Sequence, residues 1–234
     1  ESRSEVEYAA DFFRWFGEEA VRLAGTWATA PDGQSRLWTM KQPIGPCLLV
    51  TPWNFPLAMG TRKLGPALAA GCTAIVKPAK QTPLSMLALA GILMEAGLPE
   101  GVLTVLPTTD SSGVVAQLVK DPRLRKLSFT GSTEVGQSLV RQSADRMLKL
   151  SMELGGNAPF IVFEDADLDR AADEAMRAKL RNNGEACTAA NRFYVQETVR
   201  AEFVAKLHDR FAAITVGRGT DSAHGLGPLI DQAA

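Results

Sequence analysis

Residues 47–77 read CLLVTPWNFPLAMGTRKLGPALAAGCTAIVK, and this stretch decides the fold. The run Cys47–Thr51 is apolar without alternation. A turn of Pro52, Trp53 and Asn54 follows, then a helical spacing over Leu57–Ala70, then Gly71 and a second apolar run, Cys72–Lys77. Short apolar runs of this kind are strands buried on both faces, and a helix between two of them makes a parallel crossover unit. The rhythm repeats downstream. Strands are expected at Val102–Leu106, Lys126–Thr130 and Met147–Met152, with helices over Pro83–Ala96, Ser112–Val119 and Thr133–Gln142. Thr82 before Pro83 reads as an N-cap followed by proline at the first helical position, and Gly97 stands where a terminating glycine belongs. Five strands separated by four helices make a doubly wound parallel α/β sheet, Rossmann-like, over residues 46–155. Ligands of such sheets bind beyond the carboxyl ends of the strands.

On the amino side, Val6, Ala9, Ala10, Phe13, Phe16, Ala20 and Leu23 recur three and four residues apart, an amphipathic helix over Glu5–Leu23 within residues 1–25. Residues 26–45 hold the turn Pro31-Asp32-Gly33 and an alternating run, Arg36–Lys41. This is an extended hairpin, fit for a subunit contact or for an ordinary surface. On the carboxyl side, Gly155-Gly156 opens a second pattern: strand Phe160–Phe163, helix Asp167–Arg181, strand Phe193–Gln196, helix Thr198–Ile214. Residues 156–234 read as part of a second α/β domain, with a glycine-rich tail, Gly217–Ala234, that has no closing element. With Glu1 in place of an initiator Met, a piece of a longer protein is expected.

Composition narrows the function. The 234 residues are 46% hydrophobic with a net charge of −1, which excludes disorder. Since 25 Lys+Arg balance 26 Asp+Glu, there is no basic surplus for nucleic acid. No apolar run approaches the roughly 18 residues a membrane span needs. Three cysteines and two histidines without a Cys-x-x-Cys pair argue against both a disulfide framework and a zinc site. The first residues show no leader pattern, and a reducing cytoplasm is the default expectation.

Three groups of residues stand out chemically. Cys187 lies in a small, polar loop with Gly184, Ala186, Ala189 and Ala190, where a substrate can approach closely; a free cysteine also serves as a small hydrophobe, and both readings stay open. Cys47 and Cys72, in apolar strands, read as core. Neither histidine is placed by a motif to act as base, so a carboxylate is needed, and Glu153 at the end of the fifth strand fits, though a capping carboxylate is an equal reading. Phe129-Thr130-Gly131-Ser132 is a strand, glycine turn and helix start of the kind whose N–H groups attract phosphate, but it is neither a Walker A loop nor a Gly-x-Gly-x-x-Gly fingerprint. Lys77-Pro78-Ala79-Lys80 ends the second strand, where basic residues suit a ribose 2′-phosphate; a solvated pair of charges is the plainer alternative.

Together these segments resemble the aldehyde dehydrogenase family, and most closely its NADP-linked succinate-semialdehyde dehydrogenases. The resemblance runs from about Tyr8 to Ile230. It rests on Thr51-Pro52-Trp53-Asn54-Phe55-Pro56, Gly65–Thr73, Lys77-Pro78 with Gln81-Thr82-Pro83, Phe129–Ser132, Glu153-Leu154-Gly155-Gly156-Asn157 and the Cys187 loop. It implies Cys187 as nucleophile, Asn54 as oxyanion donor and Glu153 as the base that activates the hydrolytic water. It further implies cofactor contacts from Trp53, Asn54, Lys77, Pro78, Ala79, Lys80, Gly131, Ser132 and Leu154, and a carboxylate clamp of Arg62 and Arg181. Lys80, where many relatives carry Glu, favours NADP over NAD. A homo-oligomer, dimer or tetramer, is implied for the whole protein. Two departures stand out: Glu185 replaces a usual Gln, and Ala189 replaces a second cysteine. The family's downstream Glu-x-Phe-Gly-Pro segment is absent. Rival readings are a dehydrogenase of another aldehyde, such as glutarate semialdehyde, and a non-catalytic fragment retained for cofactor binding or association.

Overall fold

A computed structural model describes residues 1–221 and 223–232; of the expected tail Gly217–Ala234, Ser222, Ala233 and Ala234 lie outside the described residues. The chain divides into two compact units, Glu1–Leu154 and Gly155–Ala234.

The first unit begins with helix α1 (Ser2–Ala20) and a two-stranded antiparallel hairpin, β1 (Trp27–Thr29) and β2 (Arg36–Trp38), in which Trp27 faces Trp38 and every strand residue is exposed. Then come β3 (Cys47–Val50), α2 (Ala58–Ala69), β4 (Ala74–Lys77), α3 (Leu84–Glu95), β5 (Leu103–Val105), α4 (Ser111–Lys120), β6 (Lys126–Gly131), α5 (Thr133–Ser143) and β7 (Lys149–Leu154). The five strands β3 to β7 form one parallel sheet in the order β5-β4-β3-β6-β7. This is the doubly wound sheet that the apolar rhythm predicts. Successive side chains of a strand point to opposite faces, so Leu48 and Val50 join a core with Val115, Val119, Leu127, Phe129 and Leu139 under α4 and α5. Cys47 and Leu49 join another with Leu64, Val76 and Met86 under α2 and α3. Leu48, Leu64 and Leu127 are fully buried, each contributing on the order of 1.5–3 kcal/mol. The direction of winding reverses between β3 and β6, which puts a crevice beyond their carboxyl ends.

Some local expectations are corrected. The fifth strand is Lys149–Leu154 rather than Met147–Met152: pairing runs on to Thr130 with Glu153 and Gly131 with Leu154, while Met147 turns the chain in a left-handed conformation (φ 48°). Thr82 does not cap α3. Its hydroxyl donates to the Trp53 carbonyl (3.5 Å), and Pro83 takes the cap position without a side-chain hydrogen bond. Helix α2 has no cap of its own either. Glu5 of α1 supplies one, its carboxylate accepting from the N–H groups of Leu57 (2.8 Å) and Ala58 (2.9 Å). The helices approach closely because position 65 is glycine; a Cβ there would meet the Phe16 ring at 3.2 Å and the Phe12 carbonyl at 3.3 Å. Val6, placed on the apolar face by its spacing, is exposed.

The second unit holds β8 (Ala158–Val162), α6 (Leu168–Leu180), β9 (Ala190–Val195) and α7 (Glu197–Ala212). β8 and β9 are parallel, and Phe160, Val162 and Phe193 pack with Ala172, Ala175 and Phe203 of the helices. Both strands start earlier than hydrophobicity indicates, where Ala158 pairs with Ala190; beside this pair Arg192 donates to the Asn157 carbonyl (2.8 Å) and Asn191 to the Asn157 side chain (3.1 Å). Among the described residues the tail forms no further helix or strand, but it is tied down: Val216 bridges to Leu226 in parallel, and Asn183 holds Gly227 and Pro228. Among the described residues, no helix is long and apolar enough to cross a membrane.

Candidate active site

The carboxyl ends of β3, β4, β6 and β7 carry most of the chemistry-bearing residues. The loop after β3 presents Trp53 and Asn54, both half-buried, and is held by Thr82 at one point and by the Glu5 cap at the next. β4 ends in Lys77, only 5% exposed, whose ammonium donates to the Ser111 hydroxyl (3.0 Å). Burial lowers its pKa. Pro78 and Ala79 are buried and Lys80 is exposed, so the solvated-pair alternative fails for Lys77.

β6 ends at Gly131, where a Cβ would meet the Phe129 ring at 2.5 Å. Ser132 then caps α5, its hydroxyl accepting from Val135 N–H (3.3 Å). At Gly136 a Cβ would meet Leu154 at 2.6 Å, so the first turn of α5 lies close against the end of β7. Val50 pairs with Phe129, and the next residues on these neighbouring strands, Thr51 and Thr130, have buried hydroxyls with no hydrogen-bond partner among the described residues. Orphaned hydroxyls, buried Lys77, exposed Lys80 and a close glycine turn at a switch point are features that fit a phosphorylated dinucleotide.

On the α2 side of the sheet, polar residues alternate with core residues along β6 and β7. A cavity of about 460 Å³ there is lined by Arg62, Lys63, Lys126, Ser128, Ser151 and Glu153, with Cys47 and Cys72 among its apolar neighbours. Lys63 is 7% exposed and donates to the Ser128 hydroxyl (3.0 Å). Burial brings its pKa down to about 8; the Glu153 carboxylate pulls it up, and Arg62 and Lys126 push it down. Sequence reasoning missed Lys63, although it falls among the buried positions of α2. The Arg62 guanidinium lies over the Phe12 ring, 5.6 Å from its centroid, and the residue is exposed.

Cys47 and Cys72 are buried, and burial together with the neighbouring Cys72 pushes the Cys47 thiol up to about 12. Cys187 is exposed. It lies in the second unit, as does Arg181, an exposed residue at the end of α6. Before Cys187 the chain takes three left-handed residues, Asn182 (φ 52°), Asn183 (φ 57°) and Gly184 (φ 79°). The Asn183 side chain accepts from Gly227 N–H (3.1 Å) and donates to the Pro228 carbonyl (3.2 Å). Glu185 accepts from Ile230 N–H (3.4 Å). Ala189 N–H donates to the Ala186 carbonyl (2.9 Å), so Cys187 rides on a tight turn. Among the described residues, no group of three His, Cys, Asp or Glu could hold a metal.

Comparison with known proteins bears on all of this. The model of the aldehyde dehydrogenase family matches residues 1–234. The succinate-semialdehyde dehydrogenase of Paenarthrobacter nicotinovorans is 57% identical over 100% of this chain and 52% of its own length. The NADP+-dependent succinate-semialdehyde dehydrogenase of Escherichia coli K12 is 51% identical over 100% of this chain and 48% of its own. In three dimensions, the crystal structure of succinate-semialdehyde dehydrogenase from Burkholderia pseudomallei superposes with a TM-score of 0.95 at 52% identity, covering 98% of this chain and 48% of that one. The chain therefore spans about half the length of the curated relatives it matches. With a matching sheet, matching motifs and a family model that covers every residue, this chain belongs to the aldehyde dehydrogenase family.

Proposed function

We propose that this chain carries the dinucleotide-binding unit and the nucleophile of an enzyme that oxidises succinate semialdehyde to succinate with NADP+. The observation that carries the reading is the contrast among the thiols: Cys187 is exposed on a turn, whereas Cys47 and Cys72 are buried. In this reading the Cys187 thiolate adds to the aldehyde carbon, forming a C–S bond and an alkoxide. The Asn54 amide N–H and the Cys187 backbone N–H donate to that oxygen; one such donor is typically worth ~2.7–4 kcal/mol of barrier. Trp53, Lys77, Lys80, Gly131, Ser132 and Leu154, with the Pro78-Ala79 turn, would hold NADP+, which would supply the hydride acceptor. Loss of hydride leaves a thioester on Cys187. Glu153 takes a proton from water as that water attacks the thioester, which releases the carboxylate and returns the thiol.

Arg62 and Arg181 hold the far carboxylate of the substrate, since a planar guanidinium pairs well with a carboxylate. The exposed Trp27 and Trp38 support a homo-oligomer assembled through the β1–β2 hairpin, and a working free thiol suits a reducing, cytoplasmic setting. Iodoacetamide labelling of the intact protein tests the nucleophile. Cys187 should label well ahead of Cys47 and Cys72 and be protected by succinate semialdehyde; slow, uniform labelling without protection contradicts the reading.

A further inference from the structure

The Lys77 ammonium is held by a residue that no family motif singled out. Lys77 and Ile75 point to the same face of β4, and Ile75 packs against the core under α4 and α5, so Lys77 emerges on the α4 side of the carboxyl edge. There its Nζ donates to the hydroxyl of Ser111, the first residue of α4 (3.0 Å). Ser111 is free for this because Asp110 caps the helix instead, its carboxylate accepting from Gly113 N–H (2.9 Å). An ammonium has three donors and Ser111 takes one of them. Two residues beyond the buried Pro78, Lys80 is exposed at the same edge.

We propose that Ser111 is a positioning residue for cofactor choice: its hydroxyl fixes the Lys77 ammonium at the end of β4, where it meets the 2′-phosphate that distinguishes NADP+ from NAD+. The inference rests on the reading of this edge as the dinucleotide site. A lysine has four rotatable bonds, and fixing its head before the ligand arrives removes that ordering from the binding step. The gain applies only to a ligand with an anion at that place. A serine that merely stabilised the fold would act on both cofactors alike.

The test is calorimetric titration of the intact protein with NADP+, NAD+ and adenosine 2′,5′-bisphosphate, comparing wild type, Ser111→Ala and Ser111→Thr. Returning the cost of ordering the Lys77 side chain to the binding step should weaken NADP+ and the bisphosphate about three- to tenfold in Ser111→Ala. NAD+ should change far less, and Ser111→Thr, which keeps the hydroxyl, should restore the NADP+ preference. If wild type prefers NADP+ and Ser111→Ala weakens all three ligands equally, or none, the inference is overturned and the cofactor reading stands. If wild type shows no preference for NADP+, the cofactor reading falls and the inference with it. Ala is a better helix former than Ser, so the fold of α4 is not at risk.

Discussion

Two cationic neighbours on α2 show how position alone divides the roles of similar residues. Arg62 is exposed with its guanidinium over the Phe12 ring, and Lys63 points into the sheet. Arg62 is therefore available to a ligand. Arg62→Ala is expected to raise KM for succinate semialdehyde about tenfold or more, the worth of a charge-assisted hydrogen bond, with little effect on an uncharged aldehyde of similar length; equal effects would remove the clamp. Lys63 has the opposite signature. Its pKa is lowered from 10.5 to about 8, first by burial. Below pH 8 the folded and unfolded chains both carry the proton, and the burial penalty opposes folding in full. Between about 8 and 10.5 the unfolded chain binds the proton that the folded chain has lost, so stability rises with pH. Urea unfolding at pH 7.5 and 9.5 should show this rise in wild type, by up to about 2 kcal/mol, and a flatter response in Lys63→Met. Parallel pH profiles for the two proteins would mean that Lys63 is not the group responsible.

At the scale of elements, the loop that carries Trp53 and Asn54 is set by contacts from outside it. α2 begins without a cap, and Glu5, 52 residues away, accepts from the Leu57 N–H. Helix caps are worth about 0.5–2 kcal/mol. Glu5→Ala should destabilise the protein by that order in denaturant titration, and Glu5→Gln by less, because its amide oxygen still accepts; no difference between wild type and Glu5→Ala would show the cap to be idle. Such a contact has no local signature, which is why the periodicity around Leu57–Ala70 places the helix without showing what starts it. The burial of Lys63 and the grip of Ser111 on Lys77 are hidden for the same reason. Thr82 is the reverse case. Thr-Pro is a strong local cap signal, yet the hydroxyl serves the Trp53 carbonyl instead.

For the whole molecule, legibility follows the range of the interactions. The parallel sheet could be read from runs such as Cys47–Val50 because a strand buried on both faces needs only apolar residues. β7 lies two residues beyond the run its hydrophobicity indicates because an edge strand takes its register from its neighbour, here Thr130 against Glu153. In the second unit the grip of Asn183 on Gly227 and Pro228 joins positions 44 and 45 apart, and nothing in the glycine-rich tail announces it. The motifs that carry the family resemblance fall mostly in turns, where glycine and proline mark the chain strongly; Cys187 is the residue on which the proposed chemistry rests. Mass spectrometry of the Glu153→Gln protein after one turnover with succinate semialdehyde and NADP+ tests that claim most directly. The account predicts a succinyl thioester that persists on the peptide containing Cys187, and an acyl group on Cys47 or Cys72, or none on any cysteine while NADPH is formed, would contradict it.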